Sequence, residues 1–180
     1  MLKKDYTELD FAYENHAYND FSVKNEEGIK TWFFSSNKHK EIITSEEVIN
    51  LGFKWYEHDI FKEERFKNGI ERIYNESDAF FKELGFEHIR YTGKYKVTKS
   101  NNERVAFFAH LGFGVSFLSC ILDIPLPIFT TRFDMNHTGV TIIEFDERKD
   151  YCVPKVLTFS NDSHLYKEGL PTKFANGKYI

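Results

Sequence analysis

Cysteine is scarce in this sequence, with Cys120 and Cys152 the two in 180 residues. They stand apart, without metal-ligand spacing, so a cysteine-built metal centre is excluded, and a reducing cytoplasm suits both. No excess of positive charge is present either. Lys and Arg number 24 against 28 Asp and Glu, and the net charge of -4 argues against a general nucleic-acid binder. The longest uncharged apolar run, Val105 to Leu122, is broken by His110, Gly112 and Gly114, which makes it a poor membrane span. No apolar segment follows Met1-Leu2-Lys3-Lys4-Asp5, so a secretory signal is not expected. Nor does a linker rich in Pro, Gly or Ser divide the chain. The expectation is one cytoplasmic domain over 1–180, with no cofactor, no metal, no membrane partner and no nucleic acid.

What the chain has in quantity is aromatic side chains, 19 Phe and 10 Tyr, within a hydrophobic content of 41%. That is enough apolar surface for a sizeable core at this length. Phe66, Ile70, Ile73, Tyr74, Ser77, Phe81 and Leu84 recur at three- and four-residue steps. This spacing predicts a helix over 61–84 with one buried face, stopped by Gly85 in a left-handed cap. Gly69 lies inside it against helix propensity. Ser45-Glu46-Glu47 reads as the start of a short helix capped by Ser45. Asn25-Glu26-Glu27-Gly28 reads as a turn. Near the end, 139–145 and 153–159 read as strands of an antiparallel hairpin, with Pro154 at a strand start or edge. The Trp32-Phe33-Phe34 and Trp55-Tyr56 clusters are expected in the core.

One stretch combines local geometry with reactive chemistry. Arg104 to Ala109 reads as a buried strand, and the apolar residues after Gly114 read as a helix ending near Asp123, before Pro125 and Pro127. His110 falls between the two. In open α/β sheets ligands bind at that edge, where a helix start offers unpaired N–H groups and a positive dipole end to an anion. A histidine there is placed to touch a phosphate that the backbone also holds.

Three segments in order carry a family resemblance: the strand–His–turn–helix of 105–122, the helix end Leu122-Asp123-Ile124-Pro125, and Gly139-Val140-Thr141 leading to Ser160-Asn161-Asp162-Ser163-His164-Leu165. Together they resemble the histidine phosphatases, the phosphoglycerate mutase-like superfamily, over nearly the whole chain from Thr7. The resemblance implies an α/β fold of three layers, α/β/α. It implies a phosphatase acting on a phosphomonoester through a phosphohistidine intermediate. By position, His110 resembles the second histidine of the phosphate pocket, with Leu111 beside it where the family has Gly. Glu8, in Tyr6-Thr7-Glu8-Leu9-Asp10-Phe11, resembles the general acid, with Ala12 where the family's turn has Gly.

None of the seven histidines lies in the Arg-His-Gly context that carries the family's nucleophile. By register the chain starts just ahead of the acid, so the fold is expected to be incomplete, lacking its N-terminal strand–helix units. Strand 104–109 would then keep an open edge. A truncated phosphatase, inactive by itself, is the first expectation. The alternative is a non-catalytic binding or scaffold protein that retains this part of the fold for self-association. Asp162-Ser163-His164 has the look of a catalytic dyad, but a local turn with side-chain-to-backbone bonds is the expected arrangement.

Overall fold

A computed structural model of the chain describes residues 19–100, 102–146 and 150–170. It is a mixed α/β structure in which the sheets are small. The described part starts with a hairpin, β1 (Ser22–Lys24) against β2 (Lys30–Trp32). The predicted turn joins them: Asn25 Oδ1 accepts the backbone N–H groups of Glu27 (3.1 Å) and Ile29 (2.8 Å). Two short helices follow, α1 (Asn37–Ile43) and α2 (Glu46–Leu51). Ser45 caps α2 as its sequence implies, its Oγ accepting from Val48 N at 3.3 Å. Phe21, Phe33, Phe34, Trp55, Phe61 and Phe66 are buried together in this half, at centroid separations down to 4.8 Å for Trp55 and Phe61.

The long helix is α3 (Glu64–Glu83), within the predicted span. Phe66, Ile70, Ile73, Tyr74, Ser77 and Phe81 are buried on it, and Leu84 packs half-buried at its end. Gly85 takes a φ of 93° after it, the left-handed geometry that glycine adopts at least cost. Gly69 has a packing reason. A Cβ there would lie 2.6 Å from Asp20 Cβ, and Asp20 comes this close because its carboxylate accepts from Arg72 Nη2 at 2.8 Å.

After Gly85 the chain makes β3 (Phe86–Ile89) and β4 (Lys94–Val97), an antiparallel pair. Helices α4 (Leu111–Ile121) and α5 (Leu126–Arg132) come next. The two prolines end one helix and open another: Pro125 is the N-cap of α5 and Pro127 lies in its first turn, where a missing N–H costs nothing. The predicted hairpin forms between β5 (Val140–Glu144) and β7 (Lys155–Asn161), with register shifts around Ile142. Between them β6 (Tyr151–Cys152) joins the other sheet beside β4, and Pro154 sits between β6 and β7. Helix α6 (Ser163–Lys167) closes the described part.

The buried strand expected over 104–109 does not form. Residues 102–110 carry no regular structure and are exposed except for the half-buried Phe107. Val105 is 51% and Phe108 91% exposed. A strand needs a neighbour for its N–H and C=O groups, and the described sheets pair only among themselves, β1–β2, β3–β4–β6 and β5–β7. All of these pairings are antiparallel, so the described residues contain no parallel central sheet. Phe107 keeps the segment attached by stacking on Phe117 (4.9 Å, 2°) and Phe113 (5.6 Å) of α4.

Candidate functional site

His110 is the N-cap of α4, in extended conformation (φ -94°, ψ 162°), and its carbonyl accepts the first helical bond from Gly114 N at 2.8 Å. Its side chain makes no capping bond and the residue is exposed. The helix thus begins directly after His110, four residues ahead of the run after Gly114 read from the sequence, and is reached from an irregular segment in place of a strand. The next two residues, Leu111 and Gly112, are half-buried. Their N–H groups belong to the first turn, which has no intrahelical acceptors. Packing accounts for both glycines of that turn. A Cβ on Gly112 would meet Trp32 Cζ3 at 3.1 Å, and one on Gly114 would meet Met135 Sδ at 3.2 Å. Trp32 and Met135 thus pack closely against the first turn below His110. Glu8 lies outside the described residues.

The Asp162-Ser163-His164 segment is a local turn. His164 Nε2 is 3.1 Å from Thr138 Oγ1, while Asp162 Oδ2 accepts from Asn136 Nδ2 at 3.1 Å. Ser163 Oγ donates to Asn161 Oδ1 at 2.6 Å. The aspartate and the histidine thus bond in different directions, and no dyad forms. Both cysteines are buried and free, and burial pushes their thiols up, Cys152 to about 11, so neither is poised as a thiolate.

Comparisons with family models, curated proteins and solved structures found no match. The chemistry of this chain is therefore read from its own residues.

The strongest polar cluster is one the sequence did not announce. His88, on β3, has a side chain 1% exposed and bridges two carboxylates. Its Nδ1 is 2.8 Å from Asp78 Oδ1 on α3, and its Nε2 is 3.1 Å from Asp123 Oδ2 just past α4. Ionised carboxylates only accept, so with both of them ionised each ring nitrogen must carry a proton, the imidazolium form. Burial opposes that charge, but hydrogen bonds to Asp123 and Asp78 overcome it and hold the pKa above the ordinary 6.5. Asp123 Oδ2 also accepts the N–H groups of Thr92 (2.9 Å) and Gly93 (2.8 Å), and Tyr74 Oη donates to Oδ1 at 3.4 Å. Burial would raise this carboxyl, yet the bond from His88 and the backbone N–H groups of the turn hold it below the ordinary 3.8. Arg90 completes the cluster through Asp78 (2.6 Å), Asn75 (2.7 Å) and Glu71 (3.3 Å).

The signal for this cluster was dispersed over 53 positions, Glu71 to Asp123, with no short motif to mark it. His88 alternates into the core between exposed Glu87 and Ile89, and that period of two is the only trace a sequence leaves. With its ring sealed from solvent, the cluster has no room for a substrate, and its chemistry is structural. It lies at the C-terminal end of α4, about 16 Å from His110 at 1.5 Å per helical residue. Among the described residues, no group of three or more His, Cys, Asp or Glu side chains is arranged to hold a metal ion. No described helix is long and apolar enough to cross a membrane.

Proposed function

We propose that these residues are the phosphate-holding part of a histidine phosphatase of the phosphoglycerate mutase-like kind, with a phosphomonoester as substrate. What carries the reading is the exposed His110 at the start of an eleven-residue helix, within the ordered series of motifs from Val105 to His164. In this reading the imidazole and the first-turn N–H groups of Leu111 and Gly112 would share the charge that a phosphoryl group carries. In the corresponding fold of three layers, α/β/α, segment 104–109 would be a strand beside one contributed by other residues. Glu8 would protonate the leaving alkoxide.

Phosphoryl transfer in this scheme needs a histidine to attack phosphorus and become phosphorylated. The 180 residues hold no Arg-His-Gly segment for that step. Electrostatic stabilisation at His110 lowers a barrier but forms no bond. The chain by itself is therefore expected not to hydrolyse p-nitrophenyl phosphate. Turnover above background that survives His110→Ala would overturn the assignment of the site.

One observation favours a second reading, a non-catalytic binding or scaffold protein. Phe108 is 91% exposed and Val105 51%, on a segment whose sequence is suited to pair as a strand. Sedimentation velocity separates the two readings: a defined oligomer abolished by Phe108→Ser supports the scaffold, and a monomer removes its basis.

A further inference from the structure

We propose that Asp78–His88–Asp123 is a proton-operated joint: one proton on the His88 ring ties Asp78 of α3 to β3, and its release to solvent breaks that tie, leaving Asp78 to Arg90, while Asp123 keeps its hold. The geometry makes the two sides unequal. Asp123 has a side chain 2% exposed, and Asp78 is 25% exposed at the rim. A neutral imidazole has a single N–H, and one of the two carboxylates must then face a bare ring nitrogen. The buried carboxylate is the one that suffers more from losing a donor, because water cannot replace it. The retained proton is accordingly on Nε2, toward Asp123. The departing proton is the one on Nδ1, and it leaves with no other bond made or broken. Asp78 is then left with Arg90, which holds its other oxygen, and with solvent.

The surroundings limit the response to that one proton. From α3, Tyr74 stacks near the ring at 6.1 Å, and Glu71 reaches the cluster through Arg90. From β4, Tyr95 stacks on the ring at 4.3 Å and 5°. Both phenols are pushed up, first by burial and then by neighbouring acidic groups, and stay neutral. On the His88 strand side, Arg90 remains cationic and the Tyr91 phenol is also raised by burial. Buried Cys120 of α4 and Cys152 of β6 remain thiols through neutral pH. His88 is therefore the group of this cluster whose charge changes as pH rises above its ordinary 6.5.

The test is nitrogen-15 NMR of the full chain labelled at histidine, with amide exchange followed in parallel. The expected result is a doubly protonated His88 ring at pH 6.5. As pH rises, Nδ1 moves to its unprotonated shift while Nε2 stays protonated. Amide protection of Glu87 and Ile89, whose N–H groups face β4, should fall roughly tenfold or more through the same titration, while the amides of Thr92 and Gly93 hold. In Asp78→Asn, a rim substitution chosen to preserve folding, the His88 titration should move to lower pH and the protection change should lose its link to it. Loss of the Nε2 proton first, a ring already neutral at pH 6.5, or protection at Glu87 and Ile89 that ignores the titration would each overturn the proposal.

Discussion

Truncating the His88 ring leaves Asp78 and Asp123 in a shared pocket without the cation between them. Breaking a buried ion pair from one side is costly because the remaining charge stays desolvated, so His88→Ala is expected to cost about 3–5 kcal/mol in urea unfolding. His110→Ala, at an exposed position without a capping bond, should stay within about 0.5 kcal/mol. The pH dependence has a definite sign. A raised histidine pKa gives stability that is complete below 6.5 and is lost as pH rises through the raised value. The depressed Asp123 pKa gives stability present above 3.8 and lost as pH falls through the lowered value. The chain is thus firmest between those limits, and His88→Ala should flatten the alkaline arm. An equal alkaline decline in variant and parent would sink this assignment. The pairing was not legible in the sequence, because ion pairs joining α3, β3 and the end of α4 depend on tertiary contact, and the alternation around His88 marks an inward residue but not its partners.

Elements with strong local signals formed where the residues predicted. The buried face of α3 was legible because seven apolar or small residues share one helical stripe, and the cap on α2 because Ser45 precedes two glutamates. The β5–β7 pairing was legible from β-branched runs, although β6 separated from it to join β4. Segment 104–109 misled for a physical reason: composition reports that residues suit a strand but not whether a partner edge is within reach. Gly69 tests how packing competes with propensity within one element. Helix propensity alone favours Gly69→Ala by roughly 1 kcal/mol. The methyl, however, would lie 2.6 Å from Asp20 Cβ and displace a residue tied to Arg72. Overpacking of this sort costs about 1–3 kcal/mol, so the variant should melt at lower temperature. A higher midpoint by circular dichroism would show that Asp20 yields freely.

At the scale of the whole molecule, α4 links two different kinds of chemistry. One end meets the sealed ion network that ties α3, β3 and the 89–93 turn together; the other begins at an exposed histidine beside an irregular apolar segment. Buried ion pairing lies at the first end, and ligand chemistry is proposed for the second. That the chain mixes helix and strand and that a helix follows His110 were open to sequence reasoning, whereas the surface on which His110 stands was not, since it depends on whether residues 104–109 find a strand to pair with. The central claim is that this helix start holds phosphate, and it is tested most directly by titrating the isotope-labelled chain with inorganic phosphate. Saturable shifts of the His110 ring and of the Leu111 and Gly112 amides, lost in His110→Ala, are predicted. Shifts absent there, or unchanged by the substitution, would contradict it.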